Sequence, residues 1–188
     1  MIFATNNQNK LKEMKKLLSA FQIRGLKESE IYHEVEEDQD TFYGNALKKA
    51  KEIYEIAKEP VIADDSGLCI PILKDWPGVL THRFLGENAT ETDRNNAILE
   101  KMKEYQGKDR TANFVCNLVY YDGEKIVVGE GVVTGLISYE RRGENVFGFD
   151  EIFELSDGRT FAELSMEEKN KVSARSLATL DLKKKLNG

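Results

Sequence analysis

The sequence predicts an α/β protein with a long central mixed sheet flanked by helices. Three observations carry that prediction. The chain opens as strand, polar turn and helix, a common beginning for an α/β fold. Two long apolar runs, "TANFVCNLVYY" (111–121) and "KIVVGEGVVTGLIS" (125–138), flank Asp122 and Gly123, which is a hairpin signature. The element order is β-α-β at first, then antiparallel strands, then helix, so the sheet is mixed and not purely parallel.

The elements follow in order. "MIFAT" (1–5) reads as a strand and "NNQN" (6–9) as a loop. From Lys10, the residues Leu11, Met14, Leu17, Leu18 and Phe21 recur at helical spacing. "QIRGL" (22–26) suits a second strand and "EVEEDQD" (34–40) an acidic loop. Asp40 or Thr41 can cap a helix running to about Lys58. "PVIADD" (60–65) is another strand, with "GLCIPIL" (67–73) leading into a further one. "TDRNNAILEKMKEY" (92–105) is helical, and Ser165 with Glu168 forms a capping box that opens a last helical region.

The 188 residues suit a single domain over 1–188, or two small lobes sharing an interface. Hydrophobic residues make up 40% of the chain, enough for a core, and charged residues 32% with both signs interspersed. The net charge of −6 argues against a nucleic-acid or anionic-membrane surface. No apolar stretch approaches the roughly 20 residues that span a bilayer. "MIFATNNQNK" lacks a signal-peptide pattern, so a cytoplasmic protein is expected. Cys69 and Cys116 lie in apolar runs and read as buried thiols.

Four stretches can carry chemistry. On a helical wheel over 41–58, Ala46, Ala50, Ile53, Ile56 and Ala57 share a face, and Asn45 and Lys49 land on that apolar side. Either the Lys49 ammonium snorkels to water, or it reaches a buried anion. The turn "TNNQNK" (5–10) presents backbone N–H groups at a helix start, where Lys10 opposes the dipole unless an anion lies nearby. A plain surface turn also fits, and the glycines of a P-loop are missing. Asp64 and Asp65 end an apolar strand, where ligands collect in open α/β sheets. With an acid from 34–40 they could share Mg²⁺, which takes oxygen ligands and keeps waters for substrate phosphates. "RRGENVFGFD" (141–150) fits a turn with core phenylalanines, or a site where Phe147 or Phe149 stacks on a planar ring. His33 and His82 have no metal-type spacing.

Seven landmarks, in order, resemble the Ham1-like inosine/xanthosine triphosphate pyrophosphatase family. They are "ATNNQNKLKE" (4–13), "EEDQDTFYGNALKKA" (36–50), "ADDSGL" (63–68), "PGVLTHRF" (77–84), "RGENVFGFDEIF" (142–153), "TFAEL" (160–164) and "EKNKVSARSLA" (168–178). The resemblance implies an elongated, two-lobed fold with a nucleotide cleft. It implies a Mg²⁺-dependent homodimer that converts ITP, dITP or XTP to the monophosphate and pyrophosphate, clearing deaminated purines from the nucleotide pool. No nucleic-acid or membrane partner is expected.

Carried over by position, Thr5, Asn6 and Lys10 hold the triphosphate, within a loop that includes Asn7, Gln8 and Asn9. Glu37, or its neighbour Glu36, ligates the metal with Asp65. Asp65 is the general base, and Lys49 reaches the phosphates. Ser66 and Gly67 belong to the same substrate-contacting turn. Phe147, Gly148, Phe149 and Asp150 line the base pocket, and Lys169 and Arg175 read the base.

The chain departs from the family pattern at Phe149-Asp150-Glu151, where tyrosine and aspartate-proline are usual. It departs at Thr81-His82-Arg83-Phe84, where "SARF" is usual, and at Ser173-Ala174-Arg175, where Ala174 replaces a histidine. A hydrogen-bond donor lost from such a pocket costs ~1–3 kcal/mol of discrimination. Two other classes compete. A nucleotide-binding sensor of the same fold, with weak or altered base specificity, would bind without turnover. An aspartyl-phosphate phosphatase would need an Asp-x-Asp pattern that "ADDSG" does not supply.

Overall fold

The computed structural model describes residues 1–86, 88–144 and 147–187. Its strands are β1 (Ile2–Phe3), β2 (Arg24–Gly25), β3 (Val61–Ile70), β4 (Trp76–Pro77), β5 (Thr111–Tyr121), β6 (Ile126–Ile137) and β7 (Phe153–Glu154). Its helices are α1 (Gln8–Leu17), α2 (Phe42–Ala57), α3 (Glu91–Lys101), α4 (Met166–Val172) and α5 (Ala174–Asn187). The sheet order is β2-β1-β3-β5-β6-β7, with β4 beside β3. β1 is parallel to β2 and β3, whereas β4 and β7 are antiparallel to β3 and β6. The sheet is therefore mixed, as the element order predicts.

The chain divides into two compact units. One comprises Met1–Ser66, Cys116–Gly131 and Ser173–Gly188; the other comprises Gly67–Val115 and Val132–Val172. Each has its own core. In the first, Ala46, Ala50 and Ile53 of α2 pack with Ile2, Val61, Ala63 and Val119 of the sheet. In the second, Leu68 and Ile70 pack with Ile98, Met102, Ile152, Phe153 and Phe161.

Local chemistry explains most boundaries. Asn7 caps α1, its Oδ1 accepting from the N–H groups of Asn9 and Lys10 at 2.9 and 3.1 Å. The helix thus begins at Gln8, inside the stretch expected to be loop. Thr41 caps α2 by accepting from Gly44 N–H at 2.9 Å. α3 ends four residues before the expected Tyr105. The Arg110 guanidinium donates to the carbonyls of Met102 and Tyr105, replacing helical partners for those groups. Ser165 and Glu168 form the expected reciprocal cap at the start of α4. The helical region then breaks at Ser173, whose Oγ accepts from Ser176 N–H at 3.1 Å and starts α5.

Two expectations need correction. Asp64 and Asp65 do not end a strand; they sit in the middle of β3, which continues through Ser66 and Gly67 to Ile70. Eight of its ten residues are buried, so the extended backbone is held from both faces and the Ser-Gly pair makes no turn. Ile56, placed on the inner face by the wheel, is 51% exposed. It lies in the last turn of α2, beyond Ile53, the last buried residue of that helix.

Close approach places α5. β6 lacks a side chain at Gly131, where a Cβ would lie 2.0 Å from the Ala174 carbonyl oxygen. Only glycine lets the first turn of α5 lie so near the strand.

Candidate active site

The pair of acids in β3 is resolved by strand geometry. Successive side chains of a strand point to opposite faces, and the two carboxylates have different partners. Asp64 is 1% exposed. Its Oδ2 lies 3.1 Å from Lys10 Nζ and accepts from Arg175 Nε and Nη2 at 3.3 and 3.2 Å. Burial opposes its charge, but Lys10, Arg175 and Lys49 outweigh burial and hold its carboxyl well below the usual carboxylate range. Arg175 also pairs with Glu13 of α1. Asp64 is thus a neutralised anchor that ties Lys10 of α1 and Arg175 of α5 to the strand.

Asp65 is 4% exposed and meets α2 instead. Its Oδ2 accepts from Asn45 Nδ2 at 2.9 Å, and its Oδ1 from the Ser66 N–H at 2.9 Å. Burial and the Glu37 charge push this carboxyl up to about 6, against the pull of Lys49 and Asn45. Asn45 is 1% exposed. Its Oδ1 accepts from the Gln39 N–H at 2.9 Å, so one amide joins the acidic loop to Asp65.

Lys49, one α-helical turn on from Asn45, reaches Glu37 Oε1 at 2.5 Å. Burial opposes its charge, but Asp64, Glu37 and Asp65 overcome this and raise its pKa. Of the two readings of Lys49, the inward anion is the one seen. Glu37 is half-buried, whereas Glu36 is exposed. Lys48 holds the same loop through Asp38 at 2.9 Å.

The other predicted residues fall into three groups. Thr5 Oγ1 accepts from the Asn7 N–H at 3.1 Å, while Asn6, Asn7, Gln8 and Asn9 are exposed around the start of α1. Ser66 lies in β3 beside Asp65, half-buried. In the second unit, Asp150 is 4% exposed and pairs with Lys169, whose Nζ stands 5.1 Å from the Phe147 ring centroid. Phe147 and Gly148 are half-buried, and Gly148 has φ +60°. Phe149 is 3% exposed and packs in the core near Phe84 and Phe114. Asn145 and Val146 of the same motif lie outside the described residues.

The donor set suits a hard divalent ion. Among the described residues no three His, Cys, Asp or Glu side chains are grouped to hold a metal. Mg²⁺ does not require such a cage, since it commonly takes one or two carboxylates, waters and substrate phosphates. Glu37 and Asp65 supply oxygen donors, and the Glu37 charge raises the Asp65 carboxyl's affinity for a proton, a repulsion that a bound cation would relieve.

Two residues escaped the sequence reading. Periodicity turns Asn45 inward without indicating a role, although a buried amide demands partners for both ends. Glu13 stands three residues after Lys10, on the same helix face, and only the fold reveals that Arg175 is its partner.

Comparison with known proteins identifies the family. A model of the Ham1 family matches residues 1–185. The dITP/XTP pyrophosphatase of Clostridium tetani is 41% identical over 193 residues, covering 99% of this chain and 95% of the relative. That of Bacillus subtilis is 40% identical over 189 residues, covering 98% and 96%. Among solved structures, a HAM1 protein from Coxiella burnetii superposes with a TM-score of 0.90 at 36% identity, covering 99% of this chain and 97% of that one. The Staphylococcus aureus Ham1 protein gives 0.89 at 34% identity, covering 100% and 98%. The chain belongs to the Ham1 family.

Proposed function

We propose that this protein is a Mg²⁺-dependent pyrophosphatase of deaminated purine nucleoside triphosphates, cutting ITP, dITP and XTP to the monophosphate and pyrophosphate. The observation that carries the reading is Asp65. It is a buried carboxylate whose Oδ2 accepts from Asn45 Nδ2 at 2.9 Å, beside Lys49 and Glu37. A carboxylate held in one orientation can accept a proton from a water placed against it. The dITP/XTP pyrophosphatases among its relatives support the substrate class.

In this reading Glu37 and Asp65 hold Mg²⁺, with Glu36 as the outlying alternative. The ion's contribution is to offset triphosphate charge. Lys10 and Lys49 neutralise phosphate oxygens, aided by the N–H groups at the start of α1 and by Thr5. Asp65 orients a water and accepts its proton as the oxygen attacks phosphorus. The anhydride bond to the leaving pyrophosphate breaks, and the lysines stabilise the departing charge. Positioning and electrostatics supply the acceleration, as in phosphoryl chemistry generally. Phe147 stacks on the base, with Gly148, Asp150 and Lys169 around it, and the exchange of the usual histidine for Ala174 weakens the preference for six-keto purines. The family resemblance supports a homodimer acting in the cytoplasm, and light scattering that returns a monomer mass would remove the dimer. Among the described residues no helix is long and apolar enough to cross a membrane.

The test is pyrophosphate release from ITP, dITP, XTP, ATP and GTP, with Mg²⁺ and with EDTA. Release fastest from inosine and xanthosine nucleotides, dependent on Mg²⁺ and abolished by Asp65→Asn, is expected. Full activity in Asp65→Asn removes the proposed base. Free phosphate as the first product removes the reaction class.

A further inference from the structure

Asn95, fully buried on α3, has no part in the chemistry above. Its Nδ2 donates to the Gly148 carbonyl oxygen and to Glu151 Oε2, both at 3.1 Å. Glu151, 5% exposed, is gripped from its other side by Arg141. Nε reaches Oε2 at 3.0 Å and Nη2 reaches Oε1 at 3.1 Å, a bidentate pair. The Asn95 Oδ1 has no hydrogen-bond partner among the described residues. A flipped amide would set that oxygen against a carbonyl and a carboxylate, so the two acceptors determine its orientation. A residue needed only to fill the inner face of α3 would be apolar, as Ile98 is.

The tie falls at a pliant point. Gly148 has φ +60°, and the adjoining turn closes through Asp150 N–H to the Phe147 carbonyl at 3.2 Å. Asp150 pairs with Lys169, which also stands over the Phe147 ring. Glu151 occupies the position where the resemblance leads one to expect proline, which has no carboxylate to offer Asn95 or Arg141.

We propose that Asn95, held by Glu151 and Arg141, is a positioning residue for base recognition. It fixes the peptide that follows Phe147, and thereby the ring face offered to the purine, without touching the nucleotide. The inference rests on the assignment of Phe147 to the base. With the tie cut, the glycine lets the turn drift and ordering it again falls on substrate binding, so KM rises while the chemical step is spared.

The experiment is steady-state pyrophosphate release from ITP by Asn95→Ala, Arg141→Met and Glu151→Gln, each checked for a cooperative thermal transition. Asn95→Ala is expected to raise KM about tenfold with kcat held within about twofold. Arg141→Met, altering a side chain 32% exposed, is expected to raise KM about threefold. Glu151→Gln keeps an acceptor for Asn95 and is expected to rescue KM to within about threefold of the unsubstituted protein. A folded Asn95→Ala with unchanged KM overturns the inference, as does a fall in kcat at constant KM, the mark of a merely structural residue. If Asn95→Ala does not fold, Arg141→Met decides, and an unchanged KM there overturns it. Absence of ITP turnover by the unsubstituted protein overturns the proposed activity and this inference together. Turnover with unchanged KM in the variants overturns this inference alone.

Discussion

Replacing Asp65 by asparagine should abolish activity and at the same time stabilise the metal-free protein. The carboxyl titrates at about 6 in the fold, against 3.8 for an ordinary aspartate. That difference is worth about 3 kcal/mol of destabilisation once the group is ionised in both states. Because the folded value is the higher one, the native state binds the proton more tightly than the unfolded chain. The destabilisation is therefore absent below the unfolded pKa, grows between the two values and is complete above the folded one. Asparagine removes it. The substitution has its own cost: Oδ1 can still accept from Asn45, but the new amide then faces the Ser66 N–H, donor against donor. Losing that bond costs about 1–1.5 kcal/mol. The variant should be about 1–2 kcal/mol more stable near pH 8 in EDTA, and its advantage should vanish near pH 4.5. Urea unfolding at both pH values measures this, and Mg²⁺ should narrow the gap by stabilising the unsubstituted protein. A variant less stable than its parent near pH 8, or a difference that ignores pH, would refute the assignment of Asp65 as a strained, desolvated acid.

Other perturbations follow from the same contacts. Asn45→Ala severs Asp65 from the acidic loop; it should cost about 2–3 kcal/mol in urea unfolding and raise the Mg²⁺ concentration needed for half-maximal pyrophosphate release. Arg175→Met leaves Glu13 and Asp64 buried with fewer cations and should destabilise the protein by about 3–5 kcal/mol, measured the same way. Asp64 has a depressed folded pKa, so its stabilisation is full above the unfolded value and is lost as pH falls below it; Asp64→Asn should show a shallower loss of stability on acidification below about pH 4. Gly131→Ala drives a Cβ into the Ala174 carbonyl and should lower the melting temperature by about 4–10 °C, for a cost of about 2–3 kcal/mol.

The parts of the site readable in the sequence were those set by local periodicity. The wheel of α2 turned Asn45 and Lys49 inward because 100° per residue is a property of the helix alone, and both are inside. The parts that were not readable depend on contacts distant in the chain. Nothing between residues 13 and 175 announces that Glu13 and Arg175 meet, since the pairing exists only once α5 is pressed onto β6 at Gly131. Adjacency in the sequence makes the two acids look like one feature, yet β alternation makes them two. Asp64 spends its charge on Lys10 and Arg175, which holds it ionised. Among the described residues no cation stands at hydrogen-bond distance from Asp65, whose carboxyl burial pushes toward protonation. That inequality is what suits the second acid, and not the first, to a divalent ion and a proton. Exchanging their environments, by removing Lys10 or Arg175, should therefore weaken the anchor without creating a second base, because Asp64 would remain facing α1 and α5.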